Sequence, residues 1–457
     1  MPTTARPATT IGSRHLTRRG LLGGAFGLAA VGTSLPALAS CGGGGGSTAE
    51  VTAWQATSWE SAAEMKKWLK YIGAYFKDHE PQVKWNVDYG TSFDQYFQKL
   101  QTSIAGGGDV DMCWMHGRFV PQFAGGGMLE PLDDLIKNSP PPEWPDDYYP
   151  SQVKGFQSDG VQYGMPYDLA SGGFYVNVDW FERAGVDLPT EDWTFEDLLE
   201  AAKTLKAAAK DPEKSWAMTL PTATVPMYWL VRSFGGDFFA DDTRSRLTEP
   251  GTVEAFQYVH DAMWNDKVMP TPADLATADA AGAGDLALFG SERLAIIFNL
   301  NDTAFAIEDF VQGKFSWTAA PTPRGKDRRF QQVGGSSFSI PKSSRSPELS
   351  FEIMKYLMSA PDVLPDVGKL GSLTPARISF AKYGQPAADV LPADDFAHTF
   401  SDLVERDGAE QSFFAKYAEW ESSIFTVKID ALWTNSEPDA ATILADMDAE
   451  TQALLGT

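Results

Sequence analysis

Side chains that could carry covalent chemistry are few in this sequence of 457 residues. The chain has two cysteines, Cys41 and Cys113, and contains no GxSxG nucleophile elbow, no HExxH zinc motif and no clustered Cys/His set. A glycosidase would need only two carboxylates, and 61 acidic residues make such a pair easy to find by chance. A secreted carbohydrate-active enzyme therefore stays open as an alternative. We expect no metal site and no cofactor.

Cys41 follows a stretch that is typical of a secreted lipoprotein. Residues 1–40 contain no Asp or Glu, end in a mildly apolar run over 21–38, and carry four arginines: Arg6, Arg14, Arg18 and Arg19. This order predicts a signal peptide over residues 1–40. The paired arginines resemble a twin-arginine signal, and the last four residues, Leu38-Ala39-Ser40-Cys41, resemble a lipobox, in which the cysteine is lipidated.

Residues 41–48 are predicted to be the lipidated cysteine and a glycine-rich tether, because five glycines follow Cys41 directly. The alternative is an uncut transmembrane helix, which needs about 20 apolar residues. Several glycines and Pro36 interrupt the apolar run and argue against such a helix. We therefore expect an extracytoplasmic protein that a lipid holds at the outer face of the bacterial cytoplasmic membrane.

The charge of the mature chain excludes one class of partner. Removing residues 1–40 takes four of the 37 basic residues and none of the 61 acidic ones, which leaves 33 against 61 and a net charge of −28. A polyanion repels phosphate backbones, so we expect no nucleic-acid binding. The same charge opposes adhesion to anionic lipids, which leaves the acyl chains as the attachment.

Helical and strand periods alternate in the first part of the mature chain. Residues 51–54 predict a strand, and apolar residues recur at helical spacing from Trp59 to Phe76. Residues 83–89 alternate as in a half-buried strand, residues 93–104 restore the helical period, and residues 110–115 form an apolar run of strand length. This βαβαβ order predicts an α/β fold with a parallel sheet. It does not repeat eight times, which argues against the barrel that is common among glycosidases.

A second α/β section begins near residue 163, after a proline-rich loop over 139–150. Its predicted strands cover 173–178 and 294–300, and its predicted helices cover 194–209, 253–264, a segment starting at 346–348, and 440–455. Cys113 lies in an apolar run, which favours a buried inert thiol over a nucleophile. We see no internal repeat.

Several segments, in this order and spacing, resemble extracellular solute-binding protein family 1, the maltose-binding-protein-like carbohydrate-binding lipoproteins of ABC importers. The resemblance covers essentially the whole mature chain, and its carriers are residues 51–77, 111–119, 163–168, 174–177, 180–185, 234–236, 320–325, 334–341 and 371–377. No single segment is diagnostic of the family.

The resemblance implies a type II periplasmic-binding-protein fold, with two α/β lobes and the ligand cleft between them. Lobe 1 would comprise residues 49–165 and 335–380, and lobe 2 residues 166–334 and 381–457. The crossing segments would lie near residues 163–168, 330–335 and 374–380. The lobes would close on the ligand by a hinge motion and the closed form, a monomer, would dock on permease subunits.

The family also implies ligand-contact residues in lobe 1, since sugars bind to flat aromatic platforms and hydrogen-bonding groups. Trp54 follows the first strand, while Trp114, His116 and Arg118 align with a family stretch of tryptophan, histidine and arginine. Core packing is the alternative for Trp54, and capping of a loop is the alternative for His116. Gly117 stands where maltose binders carry a ligand-binding aspartate, so maltose itself is not implied.

The remaining ligand-contact candidates come from the crossings and lobe 2, and they are Asp168, Tyr228, Trp229, Asn299, Asn301, Gly335, Arg377 and Trp420. The alternatives are a hinge ion pair for Asp168, hinge flexibility for Gly335 and a salt bridge between the lobes for Arg377. The asparagines, which are followed by Asp302 and Thr303 rather than an aromatic residue, suggest a polar subsite.

Two of the aromatic candidates compete with neighbours for the cleft. Adjacent residues rarely both face a cleft, so one of Tyr228 and Trp229 is expected in the core. Trp433 is an alternative to Trp420 for stacking on a sugar.

The expected function is capture of a mono-, di- or oligosaccharide for an ABC importer. Glycerol-phosphate esters or another polar solute are the alternative ligands, and they would call for extra cationic groups in the cleft.

Overall fold

The computed structural model describes residues 50–56, 70, 73, 76, 82–88, 93–278, 284–359, 374–384, 393–409 and 411–456. The predicted signal peptide, Cys41 and the tether lie outside the described residues, as does most of the helix predicted from Trp59. Among the described helices, none combines the length and the apolar character needed to cross a membrane.

The strands of the described residues are β1 Glu50–Ala56, β2 Gln82–Asp88, β3 Met112–His116, β4 Gln157–Ser158, β5 Val161–Gln162, β6 Gly164–Pro166, β7 Asp168–Asn177, β8 Trp216–Met218, β9 Phe239–Asp241, β10 Arg244–Ser245, β11 Leu294–Leu300, β12 Trp317–Ala320, β13 Gln331–Gly334, β14 Ser336–Ser339, β15 Thr374–Pro375 and β16 Gly408–Ala409. The strands predicted near residues 51, 83, 110, 173 and 294 are confirmed as β1, β2, β3, β7 and β11.

The described helices are α1 Phe93–Ala105, α2 Val120–Gly125, α3 Asp133–Asn138, α4 Pro150–Gly155, α5 Val178–Ala184, α6 Phe195–Ala207, α7 Thr224–Ser233, α8 Pro250–Trp264, α9 Pro272–Ala278, α10 Gly284–Gly290, α11 Ala304–Val311, α12 Pro347–Ser359, α13 Ala393–Ala397, α14 Leu403–Asp407, α15 Tyr417–Trp420, α16 Thr426–Thr434 and α17 Ala440–Leu455. The predicted helices among the described residues are confirmed as α1, α6, α8, α12 and α17. A capping box fixes the start of α6. The Thr194 hydroxyl accepts from the Asp197 N–H at 3.2 Å, and the Asp197 carboxylate accepts from the Thr194 N–H at 2.9 Å.

The first sheet has the order β2-β1-β3-β14-β6. Its first three strands are parallel, as the βαβαβ pattern predicts, whereas β14 runs antiparallel to both β3 and β6. The apolar run in β3 is buried, and its Cys113 thiol, whose pKa burial raises, lies 3.6 Å from the Ser339 carbonyl oxygen. Side chains of α1 and α12 belong to the same core. We call this sheet with its helices lobe 1.

The second sheet is built around the long strand β7. Its main path is β16-β13-β7-β11-β8, and β12 and β15 also pair with β7. Helices α5 to α8 and α15 to α17 contribute to one hydrophobic core, whereas α10 and α11 contribute to a second core with the Tyr175 side chain of β7. Because helices supply both cores, β7 is buried along nearly its whole length. We call this sheet with its helices lobe 2.

The chain passes between the two sheets twice with a single residue between strands. Tyr167 separates β6 of lobe 1 from β7 of lobe 2, and Gly335 separates β13 of lobe 2 from β14 of lobe 1. The two crossings are tied together, since the Asp168 carboxylate accepts hydrogen bonds from the Ser336 N–H and hydroxyl, both at 2.6 Å. Further along, β15 pairs with β7 and Arg377 bridges to Tyr148 of lobe 1.

Candidate functional site

The crossings form the floor of a small cavity between the lobes, which we call the cleft cavity. Lobe 1 contributes the end of β3 and the helix α4 with its neighbours, the crossing contributes residues 333–335, and lobe 2 contributes Gln411 and Phe413. Its volume of about 70 Å³ is well below the 300–1,000 Å³ that small-molecule sites usually have. A solute of sugar size therefore requires the lobes to separate here.

Gly335 fits the crossing because it has no side chain. A Cβ atom added to it would lie 2.4 Å from the Asp168 carbonyl oxygen and 2.6 Å from the Gln152 Oε1 atom. Its φ of +152° is also one that residues with a side chain rarely adopt. A side chain at this position would therefore collide with the first residue of β7.

Asp168 is buried and holds an elevated pKa. Burial raises the pKa of its carboxyl to about 6, and the hydrogen bonds from Ser336 limit that rise. Its position next to the cleft cavity follows from β7, which begins at this residue, but both of its oxygens already accept from Ser336. In this arrangement Asp168 ties the two crossings together.

His116, Gly117 and Arg118 form the turn that ends β3. The His116 Nδ1 atom accepts from the Arg118 N–H at 3.3 Å, which places the ring proton on Nε2 in the neutral form. Burial and the charge of Arg118 lower the pKa of His116 to about 3, so the ring stays neutral near pH 7. Gly117 faces α4, where a Cβ would lie 3.0 Å from the Gly155 carbonyl oxygen.

Arg118 reaches across the cleft to lobe 2. Its guanidinium forms an ion pair with the Glu421 carboxylate, whose other oxygen accepts from the Thr224 hydroxyl. Both charged side chains are largely buried, with 14% and 18% of their surface exposed. His116 makes a second contact between the lobes, since its ring lies edge-on to Phe413 at 6.4 Å. The described structure thus has the two lobes in contact at the end of β3.

A larger pocket lies in lobe 2 directly beside the cleft cavity, and we call it the lobe-2 pocket. It has a volume of about 630 Å³ and is lined by Thr219, Leu220, Pro221, Thr222, Ala223, Val225, Pro226, Met263, Met269, Pro270, Pro272, Leu275, Gly284, Asp285, Phe298, Asn299, Leu300 and Gln332. Gln332 of this pocket precedes Val333 of the cleft cavity, and the Gln411 amide donates to the Val225 carbonyl at 3.3 Å. The two spaces therefore adjoin.

Each space is lined by one glutamine whose buried Oε1 atom has no partner among the described residues. The Gln152 amide nitrogen donates to the Gly334 carbonyl at 2.8 Å, which orients its Oε1 atom, and that oxygen is buried and unpaired. The Gln332 Oε1 atom is likewise buried and unpaired, and only 5% of this residue is exposed. A buried acceptor without a donor is costly, so each oxygen favours a ligand that brings a hydroxyl or N–H group.

Cationic groups are scarce around both spaces. Of the described lining residues, Lys154 is the only lysine or arginine of the cleft cavity, and none lines the lobe-2 pocket. The Arg118 guanidinium lies nearby but is paired with Glu421. Within the part of the chain that the structure describes, no group of three or more His, Cys, Asp or Glu side chains could hold a metal ion.

Most of the tryptophans predicted to contact a ligand lie in the hydrophobic cores. Trp114 packs edge-on against Tyr96 at 5.9 Å, and Trp229 stacks on Phe298 at 5.1 Å with an interplanar angle of 23°. Trp420 donates from its ring N–H to the Thr451 hydroxyl at 2.9 Å. These rings are at most 1% exposed, and ligand contact by them stays a prediction.

Trp54, Tyr228 and Trp433 are also packed against core residues. Trp54 is half-buried beside the lobe 1 core. The Tyr228 hydroxyl donates to the Ser412 carbonyl at 3.0 Å, and the Trp433 ring N–H donates to the Thr222 carbonyl at 3.2 Å. Thr222 lines the lobe-2 pocket, so Trp433 supports that wall from behind.

Of the predicted polar residues, Asn299 lines a pocket, whereas Asn301 and Arg377 make hydrogen bonds within the fold. Asn299 lines the lobe-2 pocket, with its Oδ1 atom accepting from the Thr303 hydroxyl at 2.9 Å. Asn301 is fully buried and joins β7 to β15, since its amide donates to the Leu169 carbonyl and the Thr374 hydroxyl at 3.1 and 2.9 Å. Arg377 donates to the Asp147 carboxylate at 2.7 Å.

Most residues that line the two spaces were not predicted from the sequence. Gln152, Gln332 and Phe413 belong to no recognisable motif, and no signal in the sequence distinguishes them from other amides and aromatic residues. The loop between β8 and α7 did carry a signal, because Pro221 indicates a turn at the carboxyl end of β8, where α/β proteins place ligands.

The chain also resembles known proteins in sequence. It is 25% identical over 219 residues to the arabinooligosaccharide-binding protein of Halalkalibacterium halodurans, which is 45% of this chain and 47% of that protein. The chain spans about half the length of the curated relatives that it matches.

Solved structures with the same fold cover most of the chain. The ABC substrate-binding protein Lmo0181 from Listeria monocytogenes, solved with cycloalternan, matches with a TM-score of 0.74 at 22% identity and covers 90% of this chain and all of that one. UgpB from Mycobacterium tuberculosis, solved with glycerophosphocholine, matches with a TM-score of 0.71 at 18% identity and covers 90% and 99%. At these identities the likeness shows the fold alone, which confirms the predicted two-lobe binding-protein architecture.

The family itself follows from a match to a family model. The model described as bacterial extracellular solute-binding protein matches residues 59–363, which is more than half of the chain. That range includes the end of β3, both crossings and the walls of the lobe-2 pocket. The predicted resemblance is thereby confirmed, and the chain belongs to the bacterial extracellular solute-binding proteins.

Proposed function

We propose that this protein captures a neutral, hydroxyl-rich solute, in the first place a mono-, di- or oligosaccharide, and delivers it to the permease of an ABC importer. The observation that carries the proposal is the pair of buried, unpaired amide oxygens of Gln152, which lines the cleft cavity, and Gln332, which lines the lobe-2 pocket. Sugar hydroxyls supply the donors that these acceptors lack. The relative that binds arabinooligosaccharides supports the same ligand class.

A phosphate ester is the second candidate, because UgpB of the same fold was solved with glycerophosphocholine. Its phosphodiester has no proton to donate and would seek cationic partners. Lys154 is the sole lysine or arginine among the described lining residues, and His116 stays neutral near pH 7. These groups favour a hydroxylated solute over a phosphate ester.

Binding without catalysis is part of the proposal. The family consists of solute-binding proteins. Carboxylates do not form a facing pair in these spaces, since Asp285 is the only Asp or Glu among the described residues that line them. A glycosidase requires two carboxylates on opposite sides of the bond that it cleaves. The protein accordingly binds its solute and releases it unchanged.

The proposed location follows from the N-terminal sequence. Export through a twin-arginine signal and lipidation of Cys41 would hold the protein at the outer face of the cytoplasmic membrane, as a monomer on a glycine-rich tether. Two or more acyl chains suffice for stable anchoring. A tethered binding protein stays within reach of its permease while the lobes open and close.

Thermal unfolding with a ligand panel tests the proposal. Neutral mono-, di- and oligosaccharides and polyols are compared with sn-glycerol 3-phosphate and glycerophosphocholine, each at millimolar concentration. A ligand at 100 times its Kd stabilises the folded state by about 2.7 kcal/mol, so a binder raises Tm measurably. We expect a rise with at least one neutral saccharide. A rise with the phosphate compounds alone would select the second candidate, and breakdown of the bound sugar would identify an enzyme.

A further inference from the structure

The walls of the lobe-2 pocket are aliphatic rather than aromatic. They consist mainly of proline, methionine, leucine and valine side chains, among them Leu220, Pro221, Val225, Pro226, Met263 and Met269. Among the described residues that line the pocket, Phe298 is the only aromatic one, and just 8% of it is exposed because its ring packs against Trp229 and Phe174. Flat platforms for stacking a sugar ring are therefore missing from these walls.

Few polar side chains line the same pocket, and they do not surround it. Asn299 already accepts from Thr303, and the hydroxyls of Thr219 and Thr222 are the other neutral donors or acceptors beside Gln332. Asp285 supplies the single carboxyl among the described lining residues, and burial raises its pKa to about 6. A pyranose ring placed here would find few side-chain partners among the described lining residues, and each hydroxyl group left unpaired would cost roughly 1–3 kcal/mol.

We propose that the lobe-2 pocket takes an uncharged, carbon-rich part of the ligand, such as the alkyl group of a glycoside, while the sugar hydroxyls occupy the adjoining cleft cavity. This inference rests on the proposed function, because the cleft cavity is assigned to the sugar. The ligand is then amphipathic, with a carbohydrate head and an aliphatic substituent. Gln332, whose chain neighbour Val333 lines the cleft cavity, receives a hydroxyl next to the linkage.

The aliphatic walls predict how affinity depends on alkyl length. Each methylene group that moves from water into an apolar pocket improves affinity by roughly fourfold. The volume of about 630 Å³ exceeds that of a hexyl chain, so chains of this length fit within it. We expect hexyl β-D-glucoside to bind the full-length protein at least tenfold more tightly than methyl β-D-glucoside, with butyl β-D-glucoside in between.

A matched pair of variants locates the effect. Val225→Asp puts a carboxylate on the pocket wall, and it suits the fold because an acidic residue in the first turn of α7 interacts favourably with the helix dipole. Val427→Asp makes the same change in the first turn of α16, where the valine is 66% exposed and lines neither space. Circular dichroism and Tm establish that both variants fold.

Isothermal titration with methyl, butyl and hexyl β-D-glucoside is the test. The wild type and Val427→Asp are expected to show the tenfold gain from methyl to hexyl, and Val225→Asp is expected to lose it. Equal affinities along the series, no binding of hexyl glucoside, or an undiminished gain in Val225→Asp would overturn the inference. The proposed function fails separately, when no neutral saccharide or polyol of the thermal panel raises Tm.

Discussion

At the crossing between the sheets, Gly335 occupies a position where a methyl group has no room. We expect Gly335→Ala to destabilise the protein by about 2 kcal/mol, because the new Cβ would lie 2.4 Å from the Asp168 carbonyl oxygen. Gly125→Ala is the matched control, since the nearest atom to its added Cβ is the Ala415 side chain at 4.0 Å. Thermal unfolding should show a lower Tm for Gly335→Ala alone. The same Tm in both variants would contradict the expected steric clash at Gly335.

Asp168 predicts a pH dependence of stability. Burial raises its pKa from 3.8 to about 6, so the folded state holds this proton more tightly than the unfolded state. The corresponding stability is present below pH 4 and is lost as the pH rises towards 6, with an upper limit of about 3 kcal/mol. Asp168→Asn cannot ionise, although its amide oxygen still accepts from the Ser336 N–H.

The measurement for Asp168 is Tm between pH 4 and pH 7. We expect the Tm of the wild type to fall relative to Asp168→Asn over this range. Melting curves that stay parallel would show that the carboxyl does not hold its proton in the folded state. Ser336→Ala, which removes a hydrogen bond to the ionised carboxyl, is expected to steepen the decline.

The side chains that line the site were the least predictable from sequence. Three residues predicted from the family resemblance do line the spaces: His116 and Gly335 line the cleft cavity, and Asn299 lines the lobe-2 pocket. It could not distinguish Trp229, which packs in a core, from an aromatic platform, because helix period and residue type are the same in both cases. Gln152 and Gln332 are candidate ligand-binding residues because their Oε1 atoms accept no hydrogen bond from the described residues. Whether an amide oxygen has a hydrogen-bond donor depends on residues that are distant in sequence.

Among the elements, strands and helices with a strong hydrophobic period were predictable. The bounds of β11 and α17 agree with the sequence pattern, since a continuous apolar run and a long amphipathic stretch leave little ambiguity. Short pieces such as β15 and β16 were not predicted, because two residues carry no period. They are strands only through pairing with β7 and β13.

The ends of β3 and α15 are expected to govern how long the lobes stay closed. Glu421, which follows α15, pairs with Arg118 across the cleft and also accepts from Thr224. In Glu421→Gln the attraction between opposite charges is gone, so the closed form loses about 1 kcal/mol and a bound solute should dissociate several-fold faster. Stopped-flow tryptophan fluorescence with a saccharide identified in the thermal panel measures this rate.

The control for the ion pair is Glu437→Gln, which removes the same charge from an exposed position. Its dissociation rate should equal that of the wild type. Raising the ionic strength should speed dissociation from the wild type more than from Glu421→Gln, because salt screens the pair. An unchanged rate in Glu421→Gln would show that the ion pair does not hold the lobes together during binding.

For the molecule as a whole, anchoring and binding are expected to be separable. Cys41→Ala should release the protein from the membrane into the medium, because the proposed lipid attachment site is lost, while ligand affinity stays unchanged. Fractionation followed by immunoblotting measures the release, and isothermal titration measures the affinity. Continued membrane retention of the variant would mean that residues 1–40 remain attached as an uncut helix.

Labelling of the buried Cys113 thiol can report local unfolding of lobe 1. In the lipidated form Cys41 has no free thiol, which leaves Cys113 as the one site for a thiol dye, and it lies within β3 between Trp54 of β1 and Ser339 of β14. A dye can reach it only after these strands separate, and burial also suppresses the reactive thiolate. The labelling rate in native buffer therefore measures how often the strands of lobe 1 separate. Ligands that close the cleft should lower this labelling rate, and the measurement needs no probe engineered into the chain.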